Sequence, residues 1–243
     1  IMKQNYNNYT KEDQEVWGIL FKRQVTNLRD KACREYLDCL SEMNDVLHAK
    51  RIPEFSELNA VLTHKTGWSI EVVPGLIPVD DFFKLLAQKK FCSSTWLRKK
   101  SQLDYLEEPD MFHDIFGHIP LFMNDVFADF VHRFGLLGMK HLNSPTILTQ
   151  LQRLYWFTIE FGLFNQKNSI YGAGIISSFG ESNHIFNDSI EVIPFDIHKV
   201  LKQDFVNSEI QQLYFSINSF DELYNSISEA EKIFHNNEVT MFT

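Results

Sequence analysis

The chain has 243 residues and a formal net charge of −9, from 23 basic and 32 acidic side chains. Hydrophobic residues make up 44% and charged residues 23%, the composition of an ordinary folded protein rather than a disordered or collagenous one. The acidic balance argues against binding to a nucleic-acid backbone, which requires a basic surface.

Three cysteines, Cys33, Cys39 and Cys92, form no C-x-x-C pair of the kind that binds metals. Their odd number favours reduced thiols in a reducing compartment. No apolar run approaches the ~18 residues that a membrane span needs, and the first residues show no signal-peptide core. We therefore expect a cytoplasmic protein without a membrane partner.

The first part of the sequence predicts two amphipathic helices. Thr10 resembles an N-cap that is followed by acidic residues, and apolar residues then recur at helical spacing over 16–28. A second run over 32–47 also places its apolar residues on one face. We interpret residues 1–70 as a helical lead-in whose apolar faces pack on the core.

Prolines and glycines separate the elements that follow. A turn-rich loop over 74–78 precedes a short helix that Asp80 opens. Pro109 and Pro120 bracket a segment, 110–119, that has room for only two or three helical turns.

The second half of the sequence predicts further helices and the clearest strands. One helix is expected to end near Gly135 and Gly138, and Pro145 then opens a long periodic run over 147–164. Short strands are predicted at 169–175, 191–195 and 213–217. With a last amphipathic helix over 220–243, the sequence predicts a single domain, mainly α-helical with a few short β-strands.

Two of the nine histidines, His113 and His118, lie five residues apart among aromatic neighbours. An α-helix turns about 100° per residue, so five steps place the two side chains roughly 140° apart, unlike the i, i+4 pair of zinc peptidases. If both bind one ion, His113 must lie where the backbone enters or distorts the helix. On this segment alone, a pair of ordinary core or surface histidines is the alternative.

Glu160 is the third candidate ligand, a single carboxylate within a hydrophobic run near the middle of a predicted helix. A buried glutamate without a partner is costly, so a metal or an ion pair would explain it, whereas exposure on a polar face is the alternative. Trp156, four residues earlier on the same face, favours a site. Two histidines and one carboxylate form the facial set that leaves positions open on non-haem Fe(II).

Three segments resemble the signature segments of the pterin-dependent aromatic amino acid hydroxylases. Their sequences are PDMFHDIFGHIPLF at 109–122, YWFTIEFGL at 155–163 and YGAGIISSFGE at 171–181. The resemblance extends in register from about residue 74 to about residue 220. It implies one catalytic domain over 1–243, with the iron, pterin and substrate site within 74–220 and a C-terminal helix over 220–243.

By this resemblance, the iron ligands would be His113, His118 and Glu160. Arg98 would bind the substrate carboxylate, which its planar guanidinium suits better than a lysine. Trp156 would pack against the substrate ring. From the residues alone, Arg98 also fits an exposed basic cluster.

Two further residues would support the substrate side of the site. By the same resemblance, Ser177 would lie near the substrate carboxylate and His113, and Asp110 is a plausible group for orienting His113. A helix cap or turn is the alternative for Ser177.

Six residues would bind the pterin by the same resemblance: Gly75, Ile77, Val79, Phe82, Asp114 and Tyr155. The loop would offer backbone groups, Phe82 would stack on the pterin, Asp114 would supply a carboxylate, and Tyr155 would line the cavity. On sequence alone, Phe82 also fits a core position.

The resemblance implies hydroxylation of L-phenylalanine to L-tyrosine, the first step of phenylalanine catabolism. The reaction would use O₂, Fe(II) and tetrahydrobiopterin or another tetrahydropterin. Tyrosine and tryptophan stay open as substrates, because Asn207 matches neither residue that distinguishes family members of different preference. Trp156 weighs against tryptophan, since members that act on tryptophan tend to carry Phe there.

Two remote alternatives remain at this point. One is a zinc hydrolase with a His₂Glu site, although the sequence lacks the H-E-x-x-H spacing. The other is a non-catalytic module that binds aromatic compounds or pterins. The length corresponds to about one catalytic core of the family, so we expect an unregulated monomer with only small-molecule partners.

Overall fold

The computed structural model describes residues 2–104, 108–165 and 169–241, and most of these residues are helical. The α-helices are α1 (Lys11–Leu28), α2 (Arg34–Glu42), α3 (Phe55–Lys65), α4 (Val79–Ala87), α5 (Asp125–Lys140), α6 (Pro145–Tyr155), α7 (Ala173–Ile176), α8 (Phe179–His184), α9 (Ile197–Val200) and α10 (Phe220–Met241). The strands are β1 (Ser69–Val72), β2 (Lys90–Ser93), β3 (Leu163–Phe164), β4 (Ser169–Ile170), β5 (Glu191–Pro194) and β6 (Leu213–Ile217). The predicted class, a single mainly α-helical domain with a few short strands, is confirmed.

Two π-helical segments and three short 3₁₀ helices complete the described elements. The π-helical segments are His113–His118 and Trp156–Glu160, and the 3₁₀ helices are Tyr6–Asn8, Lys100–Gln102 and Ile119–Met123. None of the described helices is both long enough and apolar enough to cross a membrane. Of the helix predicted over 220–243, residues 242 and 243 lie outside the described part.

The strands form two small sheets. β1 and β2 pair in parallel, with Ile70 opposite Phe91. The other sheet has the order β4-β3-β6-β5, in which β6 runs parallel to both β3 and β5, whereas β3 and β4 are antiparallel. The predicted strand at 213–217 is confirmed and that at 191–195 ends one residue earlier, whereas β1, β2 and β3 were not predicted.

The lead-in packs behind the segment that carries the two histidines. Thr10 caps α1 as predicted, because its hydroxyl accepts the Asp13 N–H while the Asp13 carboxylate accepts the Thr10 N–H. The Trp17 ring meets Phe112 edge-on at 5.4 Å between centroids, and the Tyr36 hydroxyl donates to the carbonyl of Phe116 at 2.7 Å. Helices α1 and α2 therefore form the wall behind the first π-helical segment.

Gly135 and Gly138 do not end a helix as predicted, since α5 continues to Lys140. Both glycines lie where α4 crosses α5. A Cβ atom at Gly138 would lie 2.0 Å from the Phe83 ring, and one at Gly135 would lie 2.6 Å from the backbone nitrogen of Ala87. These positions lack side chains because the two helices pack closely there.

Three other predicted elements are shorter than expected. The helix predicted over 32–47 ends at Glu42, and the long run over 147–164 is α-helical only to Tyr155. The strand predicted over 169–175 ends at Ile170 because the N–H groups of Tyr171 and Gly172 both donate to the carbonyl of Gly162. The chain turns there, and α7 begins at Ala173.

Candidate metal centre and active site

His113, His118 and Glu160 converge on one point. The Nε2 atoms of the two histidines are 3.2 Å apart, Glu160 Oε1 lies 3.1 Å from His118 Nε2, and Glu160 Oε2 lies 3.6 Å from His113 Nε2. The three side chains are 16%, 3% and 12% exposed in that order. Among the described His, Cys, Asp and Glu residues, they are the one group of three or more whose ligand atoms lie close enough to share an ion.

The backbone conformation brings the two histidines together despite their five-residue spacing. In a π-helix, hydrogen bonds join residues five apart, so residue i+5 lies over residue i instead of roughly 140° away. His113 begins the first π-helical segment and His118 ends it. The distortion expected for a pair that shares one ion is therefore present.

Glu160 also lies in a π-helical segment, at its last residue rather than in the middle of a straight helix as predicted. The N–H of Phe161 donates to the carbonyl of Trp156 at 2.9 Å, which closes an i to i+5 turn. The two π-helical segments thus supply all three side chains.

The imidazole of His113 is held by Ser177 through Nδ1. Ser177, the residue after α7, donates its hydroxyl proton to the carbonyl of Ala173 at 2.8 Å. The hydroxyl oxygen lies 2.8 Å from His113 Nδ1 and accepts the proton on that nitrogen. With the Ser177 proton donated to the carbonyl of Ala173, Nδ1 carries the ring proton and the lone pair of Nε2 faces the other two side chains.

Arg98 and Asp110 form a buried bidentate ion pair. Arg98 Nε lies 2.8 Å from Asp110 Oδ2 and Nη2 lies 2.9 Å from Oδ1, while the two residues are 8% and 0% exposed. Arg98 is therefore not part of the exposed basic cluster. Asp110 accepts the backbone N–H of His113 at 3.1 Å, so it contacts that residue through the main chain, whereas Ser177 holds the ring.

The protonation states suit a cation. Burial lowers the pKa of His113 to about 4, so this imidazole is neutral at pH 7. Burial alone would raise the pKa of Glu160, but the fields of His118 and His113 and hydrogen bonds from His118 and Tyr155 outweigh it and lower the pKa to about 2. A neutral imidazole and an ionised carboxylate are the forms in which these side chains bind metals.

The spacing of the three side chains also fits an octahedral metal. Ligands at about 2.1 Å from an ion and at right angles to one another lie about 3.0 Å apart. The separation of the two Nε2 atoms, 3.2 Å, and that of His118 Nε2 from Glu160 Oε1, 3.1 Å, are close to that value, while Glu160 Oε2 lies 3.6 Å from His113 Nε2. The donor set therefore fits a divalent ion such as Fe(II), with other positions left open.

A cavity of about 210 Å³ opens beside these three side chains. Of the residues predicted to bind the pterin, Gly75, Ile77, Phe82, Asp114 and Tyr155 line it. Val79 does not line the cavity but begins α4 and packs on the core.

Two of the lining groups are fixed by their neighbours. The Phe82 ring meets Tyr155 edge-on at 5.3 Å between centroids. The Asp114 carboxylate accepts the N–H of Ser94 at 2.9 Å, and burial raises its pKa to about 7.

Sequence reasoning missed several residues around the site. The ring of Phe91 lies 4.5 Å from that of His118, tilted by 35°, and Ser94 also lines the cavity. Alternation in β2 places Phe91 inside, but no sequence signal places it against a histidine.

Trp156 does not line the cavity, nor do Arg98 and Ser177. The indole N–H of Trp156 donates to the side-chain oxygen of Gln211 at 3.0 Å, and the Trp156 ring stacks on Phe205 at 4.3 Å between centroids. Sequence reasoning assigned no role to either neighbour.

Residues 3–240 match the family described as biopterin-dependent aromatic amino acid hydroxylase. The chain is 42% identical over 228 residues to phenylalanine-4-hydroxylase of Ralstonia nicotianae, which covers 93% of this chain and 72% of the relative.

Two solved structures are similar along most of their length. Phenylalanine hydroxylase of Chromobacterium violaceum, with bound iron(III) and 7,8-dihydrobiopterin, is 40% identical with a TM-score of 0.89 over 97% of this chain and 86% of that one. The apo phenylalanine hydroxylase of Colwellia psychrerythraea is 36% identical with a TM-score of 0.89 over 96% and 90%.

Proposed function

The chain belongs to the biopterin-dependent aromatic amino acid hydroxylase family, and on that premise we propose that it hydroxylates L-phenylalanine to L-tyrosine with O₂ and a tetrahydropterin. Its bacterial relatives named phenylalanine-4-hydroxylase are about 40% identical over most of the chain. The observation that carries the proposal is the convergence of His113, His118 and Glu160 beside a cavity.

His113, His118 and Glu160 would hold the iron. When bound, iron supplies a centre at which O₂ is activated with electrons from the pterin. Burial keeps the imidazole of His113 neutral, and its Nδ1 hydrogen-bonds the Ser177 hydroxyl. These two features hold the Nε2 lone pair ready for the metal without any rearrangement.

Arg98 and Trp156 would bind the amino acid substrate. Asp110 engages Nε and Nη2 of Arg98, which leaves Nη1 for a substrate carboxylate and fixes the plane of the guanidinium. The Trp156 indole would pack against the substrate ring, and Ser177 would lie between the metal side and the carboxylate side. Such fixed contacts would hold the substrate ring in one position relative to the metal site and the pterin.

The cavity beside the metal site would take the pterin. Phe82 would stack on the pterin ring, Tyr155 would contact its edge, and main-chain groups of Gly75 and Ile77 would bind its polar edge. Asp114 would accept a pterin N–H group. All these residues lie within the segment 74–220 that we propose to hold the site.

We also propose a compartment and an oligomeric state for the protein. Cys33, Cys39 and Cys92 are all free thiols, and the first two are buried. We propose a monomer in the cytoplasm, where thiols stay reduced. Light scattering after size exclusion should give a mass near 28.6 kDa.

A product assay tests the function. Protein loaded with Fe(II) is supplied with a tetrahydropterin and O₂, and phenylalanine, tyrosine and tryptophan are offered side by side. We expect tyrosine formed from phenylalanine as the main product, and none without pterin or iron. A hydroxylated tyrosine or tryptophan as the main product would contradict the proposed substrate. Tightly bound zinc in a protein that shows no pterin-dependent oxygen uptake would instead favour a hydrolase.

A further inference from the structure

We propose that Gln211 is a positioning residue for the aromatic substrate. Its side chain fixes the indole of Trp156 and joins it to the irregular segment 202–212. This inference rests on the proposed function, because Trp156 acquires its place beside the substrate ring there.

The side-chain amide of Gln211 makes three hydrogen bonds. Its oxygen accepts the indole N–H of Trp156 at 3.0 Å, and its NH₂ group donates to the carbonyls of Val206 and Glu209, both at 2.8 Å. Gln211 is only 7% exposed. Since the NH₂ group faces two carbonyls, the oxygen must face the indole, so the orientation of the amide is determined.

The main chain of Gln211 is held by a different residue, Glu181. Its N–H donates to Glu181 Oε1 at 3.3 Å, and the hydroxyl of Tyr214 donates to Glu181 Oε2 at 2.8 Å. Glu181 is a residue of α8, and Tyr214 is a residue of β6. Gln211 is therefore attached to a helix and lies beside a strand, although its own segment contains neither.

Two aromatic rings pack against the indole, while Gln211 holds its N–H edge. Phe205, another residue of segment 202–212, stacks on Trp156 at 4.3 Å with an angle of 12° between the rings. Phe161 lies 4.6 Å away, tilted by 36°. Stacking defines the plane of the indole, and the hydrogen bond to Gln211 adds a directional contact at its N–H edge.

Kinetics of two variants test the proposal. Gln211→Met keeps the length of the side chain but removes its three hydrogen bonds. We expect a roughly 5- to 50-fold rise in KM for phenylalanine and a pterin KM within about twofold of wild type, because net hydrogen-bond contributions are modest and act here on one subsite. Gln212→Met, at the exposed neighbouring glutamine, is the matched control and should leave both constants unchanged. Equal rises in both KM values for Gln211→Met would overturn the proposal.

A double-mutant cycle separates positioning through Trp156 from a general structural effect. In a Trp156→Phe background, the indole N–H is already absent, so adding Gln211→Met should change the phenylalanine KM by less than about twofold. An effect as large as in the wild-type background would overturn the proposal. Wild-type protein that forms no tyrosine would contradict the proposed function itself, which is a different result from an active wild type with a silent Gln211→Met.

Indole ¹H–¹⁵N spectra give a readout that does not depend on activity. The Trp156 signal, assigned from its loss in Trp156→Phe, should shift in Gln211→Met, whereas the Trp17 signal should stay, because its N–H donates to the carbonyl of His48 at 2.9 Å. An unmoved Trp156 signal would overturn the proposal. Should Gln211→Met fail to fold, Gln211→Asn keeps an amide at this position but is one methylene group shorter, so the indole loses its acceptor and the Trp156 signal should shift as well.

Discussion

The hydroxyl of Ser177 lies 2.8 Å from Nδ1 of His113 and binds it while donating its own proton to the carbonyl of Ala173. A serine 64 residues away along the chain thus decides which nitrogen of His113 is free. The hydroxyl oxygen accepts through a lone pair, while its single proton bonds the carbonyl of Ala173.

Replacing Ser177 with alanine should therefore weaken metal binding while leaving the fold intact. Loss of a group that orients a metal-binding histidine typically costs 10- to 100-fold in affinity, and we expect a loss in that range for Fe(II) or Co(II). Titration calorimetry on the metal-free protein measures it. The control is Ser226→Ala, which removes another buried serine that bonds a backbone carbonyl but lies in α10. Equal affinities for the two variants would contradict this role of Ser177.

Replacing Glu160 with alanine should remove iron and turnover together. Two histidines alone hold a divalent ion poorly, so we expect the iron content to fall below about a tenth of that of wild type and pterin-dependent hydroxylation to fall at least 100-fold. Circular dichroism should show an unchanged helical content. The exposed Glu191→Ala variant in β5 is the control. Full activity of Glu160→Ala would show that this carboxylate does not bind the metal.

The metal site illustrates how far sequence reasoning reaches. The five-residue spacing of His113 and His118 signals that an α-helix would not suffice, yet nothing in the spacing says that the remedy is a π-helical turn. Glu160 stands out as a charge within an apolar run, but its position at the end of a helical stretch depends on the second π-helical turn. Local spacing thus identifies the residues, whereas their geometry comes from the backbone.

Residues that act across the fold escaped prediction for a different reason. Gln211 meets Trp156 across 55 positions of sequence, and Phe91 meets His118 across a sheet edge. The short parallel pair β1 and β2 also depends on partners that α4 separates in the sequence. The glycines of α5 show the opposite error, since a glycine required by close packing has the same appearance in a sequence as one that ends a helix.

Replacing Gly138 with alanine should destabilise the protein. The added methyl group would lie 2.0 Å from the Phe83 ring, and the resulting overpacking should cost about 1–3 kcal/mol of unfolding free energy. Gly180→Ala is the matched control, because a Cβ atom there meets nothing closer than the Ser178 hydroxyl at 3.8 Å. It should instead stabilise α8 by about 0.5–1 kcal/mol. Urea unfolding of both variants measures the difference, and a stabilised Gly138→Ala would mean that α4 and α5 separate without cost.

Glu181 should make stability depend on pH. Burial raises its pKa above the ordinary value of 4.5, and the hydrogen bonds from Tyr214 and the Gln211 N–H offset this only in part. The folded state therefore keeps this proton to a higher pH than the unfolded state does. The favourable contribution is complete below pH 4.5 and is lost as the pH rises through the folded-state pKa.

Comparison with Glu181→Gln isolates this effect, because all other titrating groups are shared. The unfolding free energy of the wild type minus that of the variant, measured by urea unfolding from pH 4.5 to 8, should fall as the pH rises and then level off. A difference that rises with pH would mean that the folded protein favours the ionised form of Glu181.

Each π-helical segment holds one residue more in its turn than an α-helix would, so the metal site depends on the number of residues in the chain as well as on their identity. Deleting one residue between His113 and His118 would leave the two histidines four residues apart, a spacing at which an ordinary α-helical turn already places both side chains on one face. The number of residues between the two histidines therefore decides which kind of helical turn the site requires. Substitutions at Ser177 or Gln211, in contrast, only adjust a site that already exists.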